Sequence, residues 1–181
     1  MEITRPDSDI FELLKSNTGK GFRLIVERYS NKLYWHIRRL VIIHEDTDDA
    51  LQNTFLNAWR NIGNFRSESS LYTWLYSIAT NEALGLINRR KRNNALSIDD
   101  LGSHFAVSAE GSTWFDGDEA QILLQNAILS LPEKQRVVFN LRYYEDMPYE
   151  EMSRVLNSSV GALKASYHHA VKKVEDFVKN S

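Results

Sequence analysis

From Phe22 to Arg92 apolar residues recur at spacings of three and four, the period of an amphipathic helix, and strand-like alternation is sustained nowhere in the chain. The period lapses over "SIDDLGSHFAVSAEGSTWFDGDE", Ser97 to Glu119, and returns from Ala120 onward. Breaks at Leu131-Pro132, near Met147-Pro148 and around Asn157-Ser158-Ser159 divide that last part into four predicted helices. The fold class is therefore all-α, with a helical domain over residues 8–93, a flexible linker over 94–117 and a second helical domain over 118–179. The linker is rich in Ser, Gly and Asp, but its Phe105, Trp114 and Phe115 argue against a free random coil, because such aromatics dock on a domain or on a partner. No internal repeat is present.

The 181 residues, 43% of them hydrophobic, suffice for one ordinary domain or two small ones. The absence of cysteine excludes disulfides and thiolate metal sites. The opening "MEITRPDSDIFELL" carries charges where a signal peptide needs an apolar run, and no stretch approaches the ~20 apolar residues of a membrane span. A cytoplasmic protein without a membrane span is expected. The net charge of −2 gives no support for nucleic-acid binding, but charge distribution does. Lys20 to Asn93 holds twelve Lys/Arg against seven Asp/Glu, whereas Asp99 to Glu119 holds six acids and no Lys or Arg.

Near the C-terminus, Tyr149 to Leu156 followed by a helix from Val160 has the spacing of a helix-turn-helix. Asn157 suits the end of the first helix, and Ser159 can accept from the free N–H groups that open the second. Leu163, Tyr167, Ala170 and Val174 make a buried stripe, which leaves Lys164, Ser166, His168, Lys172 and Lys173 on other faces, suited to base edges and phosphates. The competing reading is one more amphipathic helix with a solvated charged face. Metal binding by His168 and His169 is disfavoured, since neighbouring helical side chains point about 100° apart.

In the first domain, "NFRSESSLYTWLYSIATNEALGLINRRKR" joins aromatics to a basic end, a mixture that suits single-stranded DNA, whose bases stack on rings while cations follow the backbone. Leu71, Trp74, Leu75 and Ile78 share one helical face and are expected in the core, leaving Phe65, Tyr72, Tyr76 and Asn81 to touch DNA. The run Arg89 to Arg92 alone fits a solvated helix end equally well.

Upstream, "HEDTDDALQNTFLNAW" places four carboxylates before a helix predicted to begin near Asp46 to Asp48. Leu51, Phe55, Ala58, Trp59 and Ile62 form its expected buried stripe, and Asp49, Gln52, Asn53, Leu56 and Arg60 form the opposite one. Acid, amides and a leucine suit contact with a protein helix better than contact with DNA. A metal-dependent nuclease built on the acids is a poorer fit, because acids are favoured at helix starts and no second carboxylate set completes a site.

With "DTDDALQNTFLNAW", "FRSESSLYTWLYSIATN", "LPEKQRVVFNLRYYEDMPYEEMSRVL" and "GALKASYHHA" in order over nearly its whole length, the chain resembles the extracytoplasmic-function sigma factors, the minimal sigma-70 type. The resemblance implies sigma region 2 in the first domain and region 4 in the second. It implies a promoter-specificity subunit with no catalytic activity or cofactor of its own, whose partners are core RNA polymerase, promoter DNA and an anti-sigma factor. Contacts with core polymerase, to the clamp coiled coil of the largest subunit, would fall to Asp46, Asp48, Asp49, Gln52, Asn53 and Leu56; the beta flap is a further expected contact. Those with the minus-10 element would fall to Phe65, Arg66, Ser67, Ser69, Tyr72, Tyr76, Asn81, Arg89, Arg90, Lys91 and Arg92. Those with the minus-35 element would fall to Ser159, Lys164, Ser166, Tyr167, His168, His169 and Lys172.

The chain departs from the family pattern "GTVKSRLHRAR", having Ser166, His169 and Val171 where arginine is frequent, which lowers the phosphate affinity expected of that helix. Asn53 likewise stands where an acid is common. A dimeric helix-turn-helix regulator is the alternative, distinguished by tight operator binding without polymerase.

Overall fold

The computed structural model describes residues 7–41, 44–65, 69–92 and 119–181. The predicted linker, with Phe105, Trp114 and Phe115, lies outside the described residues, as do Arg66 and Ser67. The described chain runs through α1 (Ser8–Ser16), α2 (Thr18–Val41), α3 (His44–Asn61), a 3-10 turn (Ile62–Asn64), α4 (Leu71–Arg92), α5 (Glu119–Leu129), α6 (Glu133–Tyr143), α7 (Tyr149–Leu156) and α8 (Val160–Lys179). The fold is all-α, and no strand occurs among the described residues.

The sequence period of α2 becomes its inner face. Ile25, Tyr29, Leu33, His36, Ile37 and Leu40 are buried, and α1, α3 and α4 pack around them. Asn17 Oδ1 accepts from the Lys20 backbone N–H at 3.0 Å and opens α2. At the far side of the hairpin, Arg28 donates to Asp7 (2.9 Å) and Asp9 (2.5 Å), and the Tyr29 hydroxyl donates to Asp7 at 2.6 Å. Ion pairing holds the Arg28 pKa above its usual value, with the Asp9 hydrogen bond the largest cause.

α3 seats itself differently from expectation. It begins at His44, and the residues it buries most deeply are Asp46, Thr47, Ala50, Thr54 and Ala58. Small side chains on this seam let α3 lie close to α2 and α4, and Thr54 satisfies its hydroxyl by donating to the Ala50 carbonyl at 2.7 Å. Leu51 and Phe55 flank the seam, and Trp59, expected in the core, is turned out to 47% exposure.

In the second half, four helices occur where the breaks predict them. Asn157 ends α7 in the left-handed region (φ 47°), and Ser159 Oγ accepts from the Ala162 N–H at 3.2 Å to open α8. One small apolar cluster joins Ala127, Ile128, Leu131, Phe139, Ala170 and Val174. The larger cluster is shared between the two halves: Val137, Val138, Leu141, Met147, Met152 and Val155 are continuous with the core around α2. The halves meet where α7 packs on α4 and α6 on α2.

Gly21 marks the closest approach of α1 and α2, since a Cβ there would stand 2.6 Å from the Leu14 nitrogen and 2.8 Å from its Cα. Alanine gains up to ~1 kcal/mol in helix propensity, but forcing two backbones apart costs about 1–3 kcal/mol. Gly21→Ala is therefore expected to destabilise the chain by roughly 1–2 kcal/mol in urea denaturation. A variant more stable than the parent would show that α1 is free to shift.

Candidate functional site

The outer stripe of α3 emerges as its spacing predicts: Asp49, Gln52, Asn53, Leu56 and Arg60 are all exposed, and Asp48 is exposed beside them. Leu56 is 45% exposed, and Trp59 lies beside it on the helix with its ring edge-on to Phe22 at 5.0 Å between centroids. The face is a polar strip with a two-residue apolar centre, a composition suited to a protein partner. Trp59 was missed because its spacing fits the buried stripe; only the small-residue seam, read as the packing face, points it outward.

Asp46 does not belong to that face. It is buried, its Oδ1 accepts from Arg90 Nη2 at 2.5 Å, and Arg90 Nε stands 2.5 Å from Oδ2 as the other contact of the ion pair. The start of α3 lies against the end of α4, so this acid anchors one cation of the basic run instead of meeting a partner.

On α4, Ser70 Oγ accepts from the Thr73 N–H at 3.0 Å as the helix opens, with Ser69 half-buried before it. The expected DNA platform is covered. Phe65 stacks on Phe11 (5.8 Å between centroids) and leans on Trp74 (5.0 Å). Tyr72 is half-buried against Tyr76 at 4.3 Å, and burial pushes its hydroxyl up to about 12. Tyr76 is fully buried and donates to Glu145 Oε2 at 2.6 Å; its own pKa is raised, first by burial and then by the Glu145 charge. Phe65 is covered by Phe11 of α1, and Tyr76 is held by an acceptor in the second half of the chain, partners that local period cannot reveal. Asn81, Arg89 and Arg92 remain exposed, and Gly85, Asn88, Arg89, Lys91 and Arg92 line a groove at the end of α4. Lys91 pairs with Glu133 of α6.

On α8, Lys164, His168, His169 and Lys172 are exposed and Ser166 is half-buried. Lys164 Nζ stands 5.6 Å from the centre of the Tyr149 ring. Ser159 is exposed but committed to its cap. Tyr167 belongs to the packed stripe instead of the DNA face: it stacks on Phe139 at 5.8 Å, meets Tyr149 edge-on, and has its pKa raised mainly by burial. Among the described residues, no group of three or more His, Asp or Glu could hold a metal ion, and no helix is long and apolar enough to cross a membrane.

The joint between the halves is polar at its centre. Glu145 accepts from Tyr76 and also from Arg39 Nη1 at 2.9 Å, the Arg39 guanidinium lies 4.1 Å from the centre of the Tyr144 ring, and Thr73 Oγ1 donates to Glu151 at 2.7 Å. Beneath it, His36 is fully buried, with Nε2 2.8 Å from Thr80 Oγ1 and its ring 4.8 Å from that of Tyr76. Desolvation, with a lesser contribution from Arg39, pushes the His36 pKa down to about 3, so the imidazole is neutral.

Residues 25–93 match the family model described as Sigma-70 region 2, and residues 121–174 the model described as Sigma-70, region 4. The ECF RNA polymerase sigma-E factor of Haemophilus influenzae is 29% identical over 96% of this chain and 95% of its own. The RNA polymerase sigma-H factor of Pseudomonas aeruginosa is 29% identical over 93% of this chain and 92% of its own. Among solved structures, CnrH in complex with the cytosolic domain of CnrY superposes with a TM-score of 0.72 at 21% identity, covering 98% of this chain and 99% of that one. The sigma factor RpoE in complex with the anti-sigma factor NepR from Bartonella quintana gives 0.70 at 20%, covering 88% and 98%. At those identities the structures establish likeness of fold.

The buried His36 makes stability depend on pH. The folded chain resists its protonation down to about pH 3, while the unfolded chain takes the proton near 6.5, so the unfolded state binds more protons between these values. Stability is retained above pH 6.5 and falls as pH drops below it, by up to about 1.4 kcal/mol per unit. Urea denaturation is expected to show a loss on the order of 1–2 kcal/mol between pH 7 and 5, and His36→Gln should remove most of it. An equal slope in both proteins would place the titrating group elsewhere.

Proposed function

Because the chain belongs to the extracytoplasmic-function branch of the sigma-70 family, we propose that it gives core RNA polymerase its promoter specificity through three surfaces. The polymerase surface is the outer stripe of α3, with Asp48, Asp49, Gln52, Asn53 and Leu56, extended by Trp59. The minus-10 surface lies on α4 and the loop before it, where Asn81, Arg89 and Arg92 are its open members. The minus-35 surface is α8, with Lys164, Ser166, His168, His169 and Lys172. Residues 8–93 act as region 2, 94–117 as the linker and 118–179 as region 4. The protein works in the cytoplasm, adds no catalytic step of its own, and is held by an anti-sigma factor, as the RpoE relative is in its complex with NepR.

The observation that carries this reading is the pairing of an exposed apolar centre, Leu56 and Trp59, with amides on one helix of a domain whose next helix ends in cations. Transcription with core polymerase on a promoter library tests the assignment: promoter-specific transcripts that depend on the chain are expected, and their absence with folded protein would overturn it.

Combining Gln52→Ala with Leu56→Ala is expected to weaken core binding about tenfold or more while leaving the helical signal intact, and Trp59→Ala should weaken it comparably. Unchanged affinity in a pull-down titration would remove α3 from the polymerase interface.

A further inference from the structure

We propose that α1 is a brace for the minus-10 reading surface, and that Phe11 is the positioning residue through which it acts, by fixing the Phe65 ring and with it the backbone that enters α4. The proposal rests on the reading of α4 and its approach as the minus-10 surface. Phe65 then serves as a pin that places its neighbours, not as a ring that stacks on a base.

The 3-10 turn after α3 ends with the Phe65 N–H donating to the carbonyl of buried Ile62 at 3.2 Å. From there the Phe65 ring enters between two helices. On one side it leans on Trp74 of α4, 5.0 Å between centroids; on the other it lies parallel to Phe11 of α1, 5.8 Å away with 2° between the planes. Downstream, Ser70 makes the second anchor, its Oγ accepting from the Thr73 N–H at 3.0 Å and its carbonyl from the Trp74 N–H at 3.1 Å. The chain between the two anchors is short, so a displacement of Phe65 is passed on to Ser69, and base readout depends on placement to within about 0.5 Å.

α1 has nine residues, fewer than the ~12–15 a helix needs to hold in water alone, so its place is set by docking. Both of its ends are clasped to α2. At the start, Arg28 donates to Asp7 at 2.9 Å and to Asp9 at 2.5 Å, and the Tyr29 hydroxyl donates to Asp7 at 2.6 Å. At the end, the Leu14 backbone lies against Gly21, and Thr18 Oγ1 donates to the Leu14 carbonyl at 3.2 Å. Phe11 sits between the clasps, beside fully buried Ile10. The helix offers DNA little directly, since its exposed charges are Asp9, Glu12 and Lys15, with acids in the majority. Its influence on strand reading therefore passes through Phe65. An alanine at position 11 leaves that ring with Trp74 alone, beside the space the phenyl group vacates.

The full chain with core polymerase, transcribing a promoter library randomised at the minus-10 and minus-35 positions, reads base preference position by position. Phe11→Ala is expected to flatten preference at one or two adjacent minus-10 positions about tenfold, while minus-35 preference and core affinity stay within about twofold of the parent. Phe11→Tyr keeps the ring and should retain the parent's preference. Ile37→Val lowers stability beyond the stretch of α2 that α1 clasps and should leave preference unchanged. Unaltered preference in Phe11→Ala, or an equal flattening by Ile37→Val or at minus-35, overturns the proposal. In a Phe65→Ala background Phe11→Ala should flatten nothing further, and an additive loss overturns the route through that ring. If Phe11→Ala does not fold, Phe11→Leu keeps the apolar volume and removes the flat face. Amide exchange in the free Phe11→Leu chain should show protection of the Phe65 N–H reduced about tenfold, and unchanged protection overturns the brace. A failure of the promoter reading shows separately, as no promoter-specific transcript from the parent chain, and the exchange measurement still decides whether Phe11 holds Phe65.

Discussion

The buried face of α2, from Ile25 through Tyr29, Leu33, His36 and Ile37 to Leu40, is the surface on which α1, α3, α4 and α6 all pack. Fully burying each aliphatic side chain of that line contributes about 1.5–3 kcal/mol, which is why the helix can serve four neighbours at once. His36 is the exception in the line and must remain neutral to stay there. Because α6 shares this face with the first domain's own helices, the fold of one half and the position of the other are set by a single surface. The larger apolar cluster, which runs through both halves without a break, is the direct result.

Charge is divided with equal economy. Of the acids before α3, Asp46 turns inward to hold Arg90, while Asp48 and Asp49 face outward beside the amides. A second tie, Asn57 Nδ2 donating to Glu82 Oε1 at 2.6 Å, joins the same two helices farther along. The exposed α3 stripe and the basic end of α4 thus belong to one rigid piece. A partner gripping α3 would set the position of the cations at Arg89 and Arg92, and Asp49 would repel phosphate from the α3 side of that piece.

What the sequence disclosed was local. The Asn157 turn, the Ser159 cap, the Leu163 to Val174 stripe of α8 and the outer stripe of α3 each follow from residues within a few positions of one another. What it hid depended on distant partners or on size. Thr47, Ala50, Thr54 and Ala58 form the packing seam of α3 because they are small, and a count of strongly apolar positions overlooks threonine and alanine in favour of Trp59. Tyr76 is amphipathic, so its burial turns on whether its hydroxyl finds an acceptor, and that acceptor, Glu145, lies 69 residues away. Phe65 and Asp46 were misplaced for the same reason: Phe11 and Arg90, which decide their positions, lie on other helices.

The joint between the halves differs in kind from the cores on either side of it. Taking a carboxylate out of water costs several kcal/mol, recovered only when its oxygens are fully paired. Glu145 meets that condition with Arg39 and Tyr76, so its pairing roughly breaks even and contributes register more than strength. The apolar contacts of Val138, Leu141, Met152 and Val155 supply the attraction, and the unpaired atoms of Arg136 and Asn140 subtract from it.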